Sequence, residues 1–339
     1  MPLPTIADVA RAAGVSKATV SRILNGDTTY IRAETRARVQ QVIEQLAYRP
    51  SSVARSLTSR RTQTIAMLIS DVANPFYADV IHGVEDVTLE KGYTTFLCNT
   101  NYDAQRGLAL VRALIDRRVD GILLMSSLIT SSWLDELVRH SVPTVIVDWQ
   151  ERAEALHAVR VAYATGIQAA AEHLIALGHR RIAHISGPLQ LHTARERRDA
   201  FLNALQALNF SAEDVLVIEG QFTLESGREA AAQILSQPAD RRPTAIFAAN
   251  DLMALGALSA ARAANLPVPQ ALSVIGLDDI WLAAQAEPPL TTVALPRYQI
   301  GAQAAQTLLQ VLSQPGLDTI ITQVESALTV RQSTAPPPL

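Results

Sequence analysis

Side chains suited to holding a polyhydroxylated molecule recur in this 339-residue sequence just past the ends of apolar, strand-like runs. Asp71, Asn74, Phe76 and Tyr77 follow TIAMLIS, Asp148 and Trp149 follow TVIV, Asn250 and Asp251 follow AIFAA, and Asp278 and Asp279 close SVIGLDD. Carboxylates and amides bind hydroxyls, and aromatic rings cover the apolar face of a sugar. The same survey yields no catalytic set. Neither phosphate-binding glycine fingerprint, G-x-G-x-x-G or G-x-x-x-x-G-K-[ST], is present. His173, His179, His184 and His192 straddle a helix, a turn and a strand without ligand-pair spacing, so no metal and no cofactor is expected. Asp278–Asp279 reads as one ligand contact and one structural cap rather than a catalytic pair. A non-enzyme is expected, although these residues taken alone also leave open a cytosolic sugar-binding or sugar-processing protein.

The elements that must position these residues alternate. Strand-like runs at 64–70, 93–99, 121–125, 144–148, 181–187, 215–220, 244–250 and 272–279 are separated by amphipathic stretches such as 78–90, 104–117, 165–177, 196–208, 225–235 and 252–264. Continuous rather than alternating apolar runs suit strands buried on both faces, hence parallel sheet. The βα alternation predicts doubly wound lobes, and the number of units exceeds one comfortable sheet. The body, 64–339, is therefore divided near residue 160 into two similar lobes. In such folds ligands sit beyond the carboxyl ends of the strands, where the residues named above fall. Two lobes presenting those ends across a cleft would form a closing clamp.

Residues 1–49 have a different character. Thr5 caps a predicted helix with Ile6, Val9, Ala10 and Ala13 at helical spacing, and Gly14 ends it with Val15 buried in the turn. Ser16 caps a second helix running to about Leu24, in which Ala18, Val20, Ile23 and Leu24 supply apolar contacts. Lys17, Thr19, Ser21 and Arg22 face outward. A third, over 34–47, places Val39, Val42, Ile43 and Leu46 on one face. Two helices on a tight Gly-x-Ser turn with a third behind make a helix-turn-helix. After Pro50, SSVARSLTS is too short to be helical alone, so 50–63 is expected to be a hinge that orders only against a partner. Residues 1–62 hold ten bases and four acids, a net +6, whereas the remainder carries −9. A basic head on an acidic body predicts that only the head meets a polyanion.

At TIADVARAAGVSKATVSRILNG the head resembles the LacI/GalR family of bacterial transcription regulators. YRPSSVARSL, NPFY, RRVDG, LGHRRIAHISGP, PTAIFAANDLMALGAL, SVIGLDD and PPLTTV continue the resemblance in family order along nearly the whole chain. The body is most similar to ribose and purine repressors. The resemblance implies an all-α helix-turn-helix head on an α/β periplasmic-binding-protein-like core of two doubly wound parallel-sheet lobes, with a chain crossover near 290. It also implies a homodimer whose second helices enter successive major grooves of pseudo-palindromic operator DNA. Lys17, Ala18 and Arg22 fall at base-reading positions, and Arg22 can donate two bonds to a guanine edge. Thr19 and Ser21 are placed for phosphates, and Thr5, Ser16 and Asn25 complete the DNA-facing set. Residues 51–57 match a hinge helix whose Leu57, beside Arg55, wedges into the minor groove.

For the cleft the resemblance carries over Asn74, Phe76, Tyr77, Asp148, Trp149, Thr193, Arg197, Phe222, Asn250 and Asp278. Three positions depart from the family pattern. Val161 and Ala162 stand where an acidic residue precedes Asn, Leu191 where a basic residue is usual, and Leu295 where Gln is common. A lost carboxylate at Val161, with Arg197 joined by Arg195 or His192 as a bidentate clamp, favours a sugar acid such as 2-ketogluconate or gluconate over ribose. Ketogluconate-responsive repressors are the suspected subgroup. Cys98 is the single cysteine, no apolar run approaches a membrane span, and the N-terminus lacks a basic-then-apolar leader. A cytoplasmic protein without a membrane partner is expected. The tail lacks leucine heptads, so dimer rather than tetramer is the default.

Overall fold

The computed structural model describes residues 4–24, 26–27, 29–48, 61–148, 156–210, 215–314 and 316–338. Contacts divide the chain into two compact units, 1–63 and 64–339. The expected hinge over 51–57 lies outside the described residues.

The first unit is three helices, α1 (Ile6–Ala13), α2 (Lys17–Leu24) and α3 (Ala33–Gln45). Val9, Ala10 and Ala13 of α1 pack with Val20 and Ile23 of α2 and Val39 and Val42 of α3. The Asp8 carboxylate folds back to accept from the Thr5 N–H and hydroxyl at 2.9 and 2.7 Å. Gly14 takes the left-handed conformation (φ 65°) that stops α1. Ser16 then caps α2, its hydroxyl accepting from the Thr19 N–H at 3.1 Å. Three expectations shift. Leu46 lies at the exposed edge of α3, and Tyr48 packs on the core in its place. Ala18 is exposed, so it supplies no core contact, and Val15 is half-buried rather than buried.

The second unit has two lobes. The first is built from β1 (Thr64–Ile69), α4 (Phe76–Glu90), β2 (Thr94–Asn99), α5 (Ala104–Asp116), β3 (Gly121–Met125), α6 (Ser131–Arg139), β4 (Thr144–Val147) and β5 (His157–Ala162). The second holds α7 (Tyr163–Ala176), β6 (Ile182–Ser186), α8 (His192–Ala207), β7 (Leu216–Glu219), α9 (Leu224–Leu235), β8 (Ala245–Ala248), α10 (Asp251–Ala263), β9 (Ser273–Asp278), α11 (Trp281–Gln285) and β10 (Thr291–Ala294). The chain then returns to the first lobe as α12 (Arg297–Ser313) and β11 (Ile321–Glu325), and β12 (Ala327–Thr329) ends in the second.

The sheets run β11-β5-β4-β3-β1-β2 and β12-β10-β9-β8-β6-β7, one topology used twice. The chain passes between lobes three times, after β5, β10 and β11. Every pairing is parallel except β10 with β12. The fully buried runs β3, β4, β6 and β8 explain the continuous apolar stretches. Strands β5, β10, β11 and β12 add to the eight expected. They escape the apolar-run criterion because polar residues interrupt them, as in HAVRVA and ITQVE. No described helix is long and apolar enough to cross a membrane.

Helices α4 and α12 lie backbone against backbone. A Cβ at Gly301 would run into the Val80 carbonyl, and one at Gly83 into that of Tyr298. Overpacking of this kind costs about 1–3 kcal/mol. Gly301→Ala is therefore expected to lower unfolding stability by about that amount in urea titration; unchanged stability would refute the close approach.

Candidate functional site

On the first unit, Lys17, Ala18 and Arg22 are exposed together on the side of α2 opposite the buried Val20 and Ile23. The face is short and carries the cations Lys17 and Arg22. The hydroxyls of Ser16 and Thr19 bond each other at 2.9 Å at its start, with Thr5 exposed and Ser21 half-buried nearby in sequence. Asn25, Arg55 and Leu57 lie outside the described residues.

In the second unit the carboxyl ends of the two sheets face one another across a cavity. Its position beyond the strand ends is where doubly wound sheets bind ligands. From the first lobe come Asn74, Phe76 and Tyr77 after β1, and Asp148 after β4. The second lobe contributes Thr193 and Arg197 of α8, Phe222 after β7, Asn250 after β8, and Asp278 ending β9. Nine of the ten cleft residues expected from sequence thus meet at one cavity; the tenth, Trp149, lies outside the described residues. Tyr102, Met125, Ser126, Ser127 and Val147 also line it and were missed, although the strand-end rule applied to GILLM would have found both serines.

Arg197 is the centre of the site. Its side chain is 8% exposed, and Nη1 lies 3.4 Å from Asp278 Oδ1. Nη1 donates to the Ala249 carbonyl at 2.7 Å and Nη2 to the Tyr163 hydroxyl at 3.0 Å. Tyr163 in turn donates to Asp148 Oδ2 at 2.5 Å, and the guanidinium lies 4.7 Å from the Tyr163 ring centroid. A phenol that accepts from a cation and donates to an anion polarises both bonds. Tyr163 went unnoticed in the sequence because nothing local marks a helix-starting tyrosine as reaching a strand-end aspartate.

Burial pushes the Asp148 carboxyl up to about 6, against the opposing pull of Arg197 and the Tyr163 bond. Burial likewise carries Asp278 to about 7, again opposed by Arg197. Burial would discharge Arg197, but Tyr163, Asp278 and Asp148 outweigh it and hold the cation. One cation therefore shares the cavity with two carboxylates. Arg197 Nε and Asp278 Oδ1 are buried without a hydrogen-bond partner among the described residues. Buried orphans of this kind call for an explanation.

Four of the twelve described non-glycine residues with positive φ line this cavity. Tyr102, Asp148, Phe222 and Asp278 all have positive φ, at 54°, 59°, 59° and 117°. Each such residue costs on the order of 1–3 kcal/mol, and such strain concentrates at ligand sites. Asn250 is spent on support: its Oδ1 caps α10 at the Met253 N–H, and its Nδ2 donates to the Phe222 carbonyl. Asp251 accepts from Thr292 and from the Ile280 N–H, tying the ends of β8, β9 and β10. Asp279 turns away to Arg331 at 2.6 Å.

Several expectations are corrected. Val161, Leu191 and Leu295 are buried apolar core, and none lines the cavity. Their departures from the family pattern consequently say nothing about the ligand. Arg195 donates to the carbonyls of Leu189 and Gln190, and His192 lies 3.8 Å from Glu196, so neither joins Arg197 in a clamp. The histidines have structural uses. His184 lies against Phe201 and Phe247 and its Nδ1–H donates to the Phe247 carbonyl, with burial lowering it to about 4. His179 bonds Thr244, Ser273 and the Ala335 carbonyl. No group of three or more metal-ligating side chains occurs among the described residues.

Comparison with known proteins gives the geometry its context. Residues 5–51 match the family described as bacterial regulatory proteins, lacI family, and residues 171–334 match the periplasmic binding protein-like domain. The chain is 39% identical over 332 residues to the ribose operon repressor of Escherichia coli (strain K12), covering 98% of this chain and 100% of that one. It is 38% identical to the HTH-type transcriptional repressor PurR of Aliivibrio fischeri (strain MJ11), covering 98% of each. Among solved structures, the lac repressor dimer bound to operator and the anti-inducer ONPF aligns with a TM-score of 0.89 at 27% identity, over 98% of this chain and 100% of that one.

Tyr163→Phe should leave Arg197 and Asp148 each one bond short in a buried site. The expected cost is about 1–3 kcal/mol of unfolding stability, read by urea denaturation; a change below a few tenths would show the bridge to be energetically idle.

Proposed function

The chain belongs to the LacI family of bacterial regulatory proteins, and on that premise we propose that it represses transcription as a cytoplasmic homodimer whose operator affinity is set by a neutral sugar bound between the lobes. Each helix-turn-helix reads one half-site, so a dimer reads a pseudo-palindrome. Lys17, Ala18 and Arg22 meet base edges, Ser16, Thr19 and Ser21 meet phosphates, and Thr5 and Asn25 flank them. Arg55 and Leu57 belong to the minor-groove contact. The sugar makes its polar contacts with Asn74, Asp148, Thr193, Arg197 and Asp278, and Phe76, Tyr77, Trp149 and Phe222 cover its apolar faces.

The observation that carries the choice of ligand is the set of charges lining the cavity, the Arg197 guanidinium with the carboxyls of Asp148 and Asp278. A hydroxyl suits both signs, because it accepts from the guanidinium and donates to a carboxylate at once. A ligand carboxylate answers only the guanidinium and meets two like charges, which places 2-ketogluconate and gluconate behind ribose-like neutral sugars. Ligand and DNA affinities couple only if the sugar binds one of the two DNA-affinity states better than the other.

Two measurements test this reading. Selection of bound DNA from a random pool is expected to return a pseudo-palindrome, and Arg22→Ala should cost about 1–3 kcal/mol on it while relaxing preference at one base pair per half-site. Unaltered binding would make Arg22 a bystander. The second is calorimetry with D-ribose, D-glucose, D-gluconate and 2-ketogluconate at pH 8 and pH 6. As pH falls through about 7 the Asp278 carboxylate takes up a proton, and Asp148 follows near 6. A neutral sugar donating to these oxygens should then bind about tenfold more weakly at pH 6. A sugar acid should instead bind more tightly there, and tight binding of acids alone would overturn the neutral-sugar reading.

A further inference from the structure

Arg297 begins α12 where the chain has just crossed from the second lobe into the first. Its guanidinium spans both. Nε and Nη2 grip the Asp79 carboxylate on α4 at 2.9 and 2.7 Å. Nη1 points the other way, donating to the main-chain carbonyls of Asp278, at 2.5 Å, and Asp279. The side chain is 14% exposed, so the fork is held by its surroundings.

Both ends of this fork matter to the cavity. Asp278 and Asp279 stand at φ 117° and 54°, conformations that an L-residue keeps only where its surroundings hold it. A cationic donor on their two carbonyls supplies that hold and directs the Asp278 side chain at the ligand. At the opposite end, Asp79 lies in the first turn of α4, just past the cavity walls Phe76 and Tyr77. α4 cannot slip against α12 either, since Gly83 and Gly301 bring the backbones together and the Tyr298 hydroxyl donates to Asp86 at 2.9 Å.

We propose that Arg297 is a positioning residue and an inter-lobe strut, which aims Asp278 into the cavity and, through Asp79, transmits the state of the cavity to α4. The inference rests on the effector-controlled reading above. Lysine cannot substitute, because a single ammonium does not present a planar fork to a carboxylate and two diverging carbonyls.

The test uses the full chain as wild type, Arg297→Met, Arg297→Lys and Asp79→Asn. Each receives D-ribose titration, measurement of binding to the selected operator with and without saturating D-ribose, and sugar-free amide exchange. Asp79→Asn is expected to bind D-ribose within threefold of wild type, yet lose at least fivefold of the sugar-dependent change in operator affinity. Arg297→Met should weaken D-ribose at least tenfold and speed exchange at least tenfold both at the Ile280 amide and in the first turn of α4. Arg297→Lys, which keeps the ion pair with Asp79, should retain coupling better than affinity. Full coupling in Asp79→Asn, or wild-type affinity in Arg297→Met, overturns the strut. If the wild type itself binds no D-ribose, the neutral-sugar reading is what fails, and the exchange result still decides the strut: acceleration at both ends supports it, and acceleration at one end or neither overturns it.

Discussion

A full positive charge on Arg197, almost wholly removed from water, sets the terms for the rest of the second unit. An ion of this kind carries an effective penalty of several kcal/mol unless partners surround it; here the second lobe supplies the direct ones, and the first adds Asp148 through the Tyr163 hydroxyl. Asp148 follows β4 of the first lobe; Tyr163 starts the first helix of the second; the Ala249 carbonyl and Asp278 lie at the ends of β8 and β9. Separating the lobes therefore breaks up the charge cluster, and the cluster in turn fixes how the strand ends meet. The left-handed residues at Asp148, Phe222 and Asp278 follow from this. Each lies at or shortly after the end of a strand and lines the cavity.

The two functional surfaces obey different physics. The face of α2 is exposed and basic, so it acts through long-range charge that salt weakens. The cavity is buried and sets one cation beside two carboxyls, and short, directed hydrogen bonds of the kind it offers are barely reached by salt. A formal charge of −3 for the whole chain averages over both, which is why it describes neither.

Much of this architecture was legible in the residues. TIAMLIS, GILLM and TAIFAAN announce strands covered on both faces, and Gly14 with Ser16 marks the turn of the head. Strand ends pointed to the cavity, because in doubly wound sheets the order of the strands decides where ligands sit, whatever the side chains are. What escaped was tertiary. Tyr163 matters through a phenol reaching across from another element, and Arg297 through two main-chain carbonyls, contacts with no footprint in local spacing. The ligand inference from Val161, Leu191 and Leu295 failed for a related reason. A position can match a pattern along the chain while its side chain turns into the core, and the burial of all three shows that theirs do.

The three passages between lobes carry a consequence for how the molecule is made. β11 completes the first sheet and β12 the second, and both are encoded after nearly everything else. During synthesis neither lobe can finish before the other, so both sheets wait with β5 and β10 as bare edges, open to pairing with foreign strands. A message cut short before codon 321 would thus spoil both halves of the sensor together, rather than leaving one sound half. The head, whose three helices need only one another, would be finished long before; a truncated product could keep the helix-turn-helix while losing the two-lobed core.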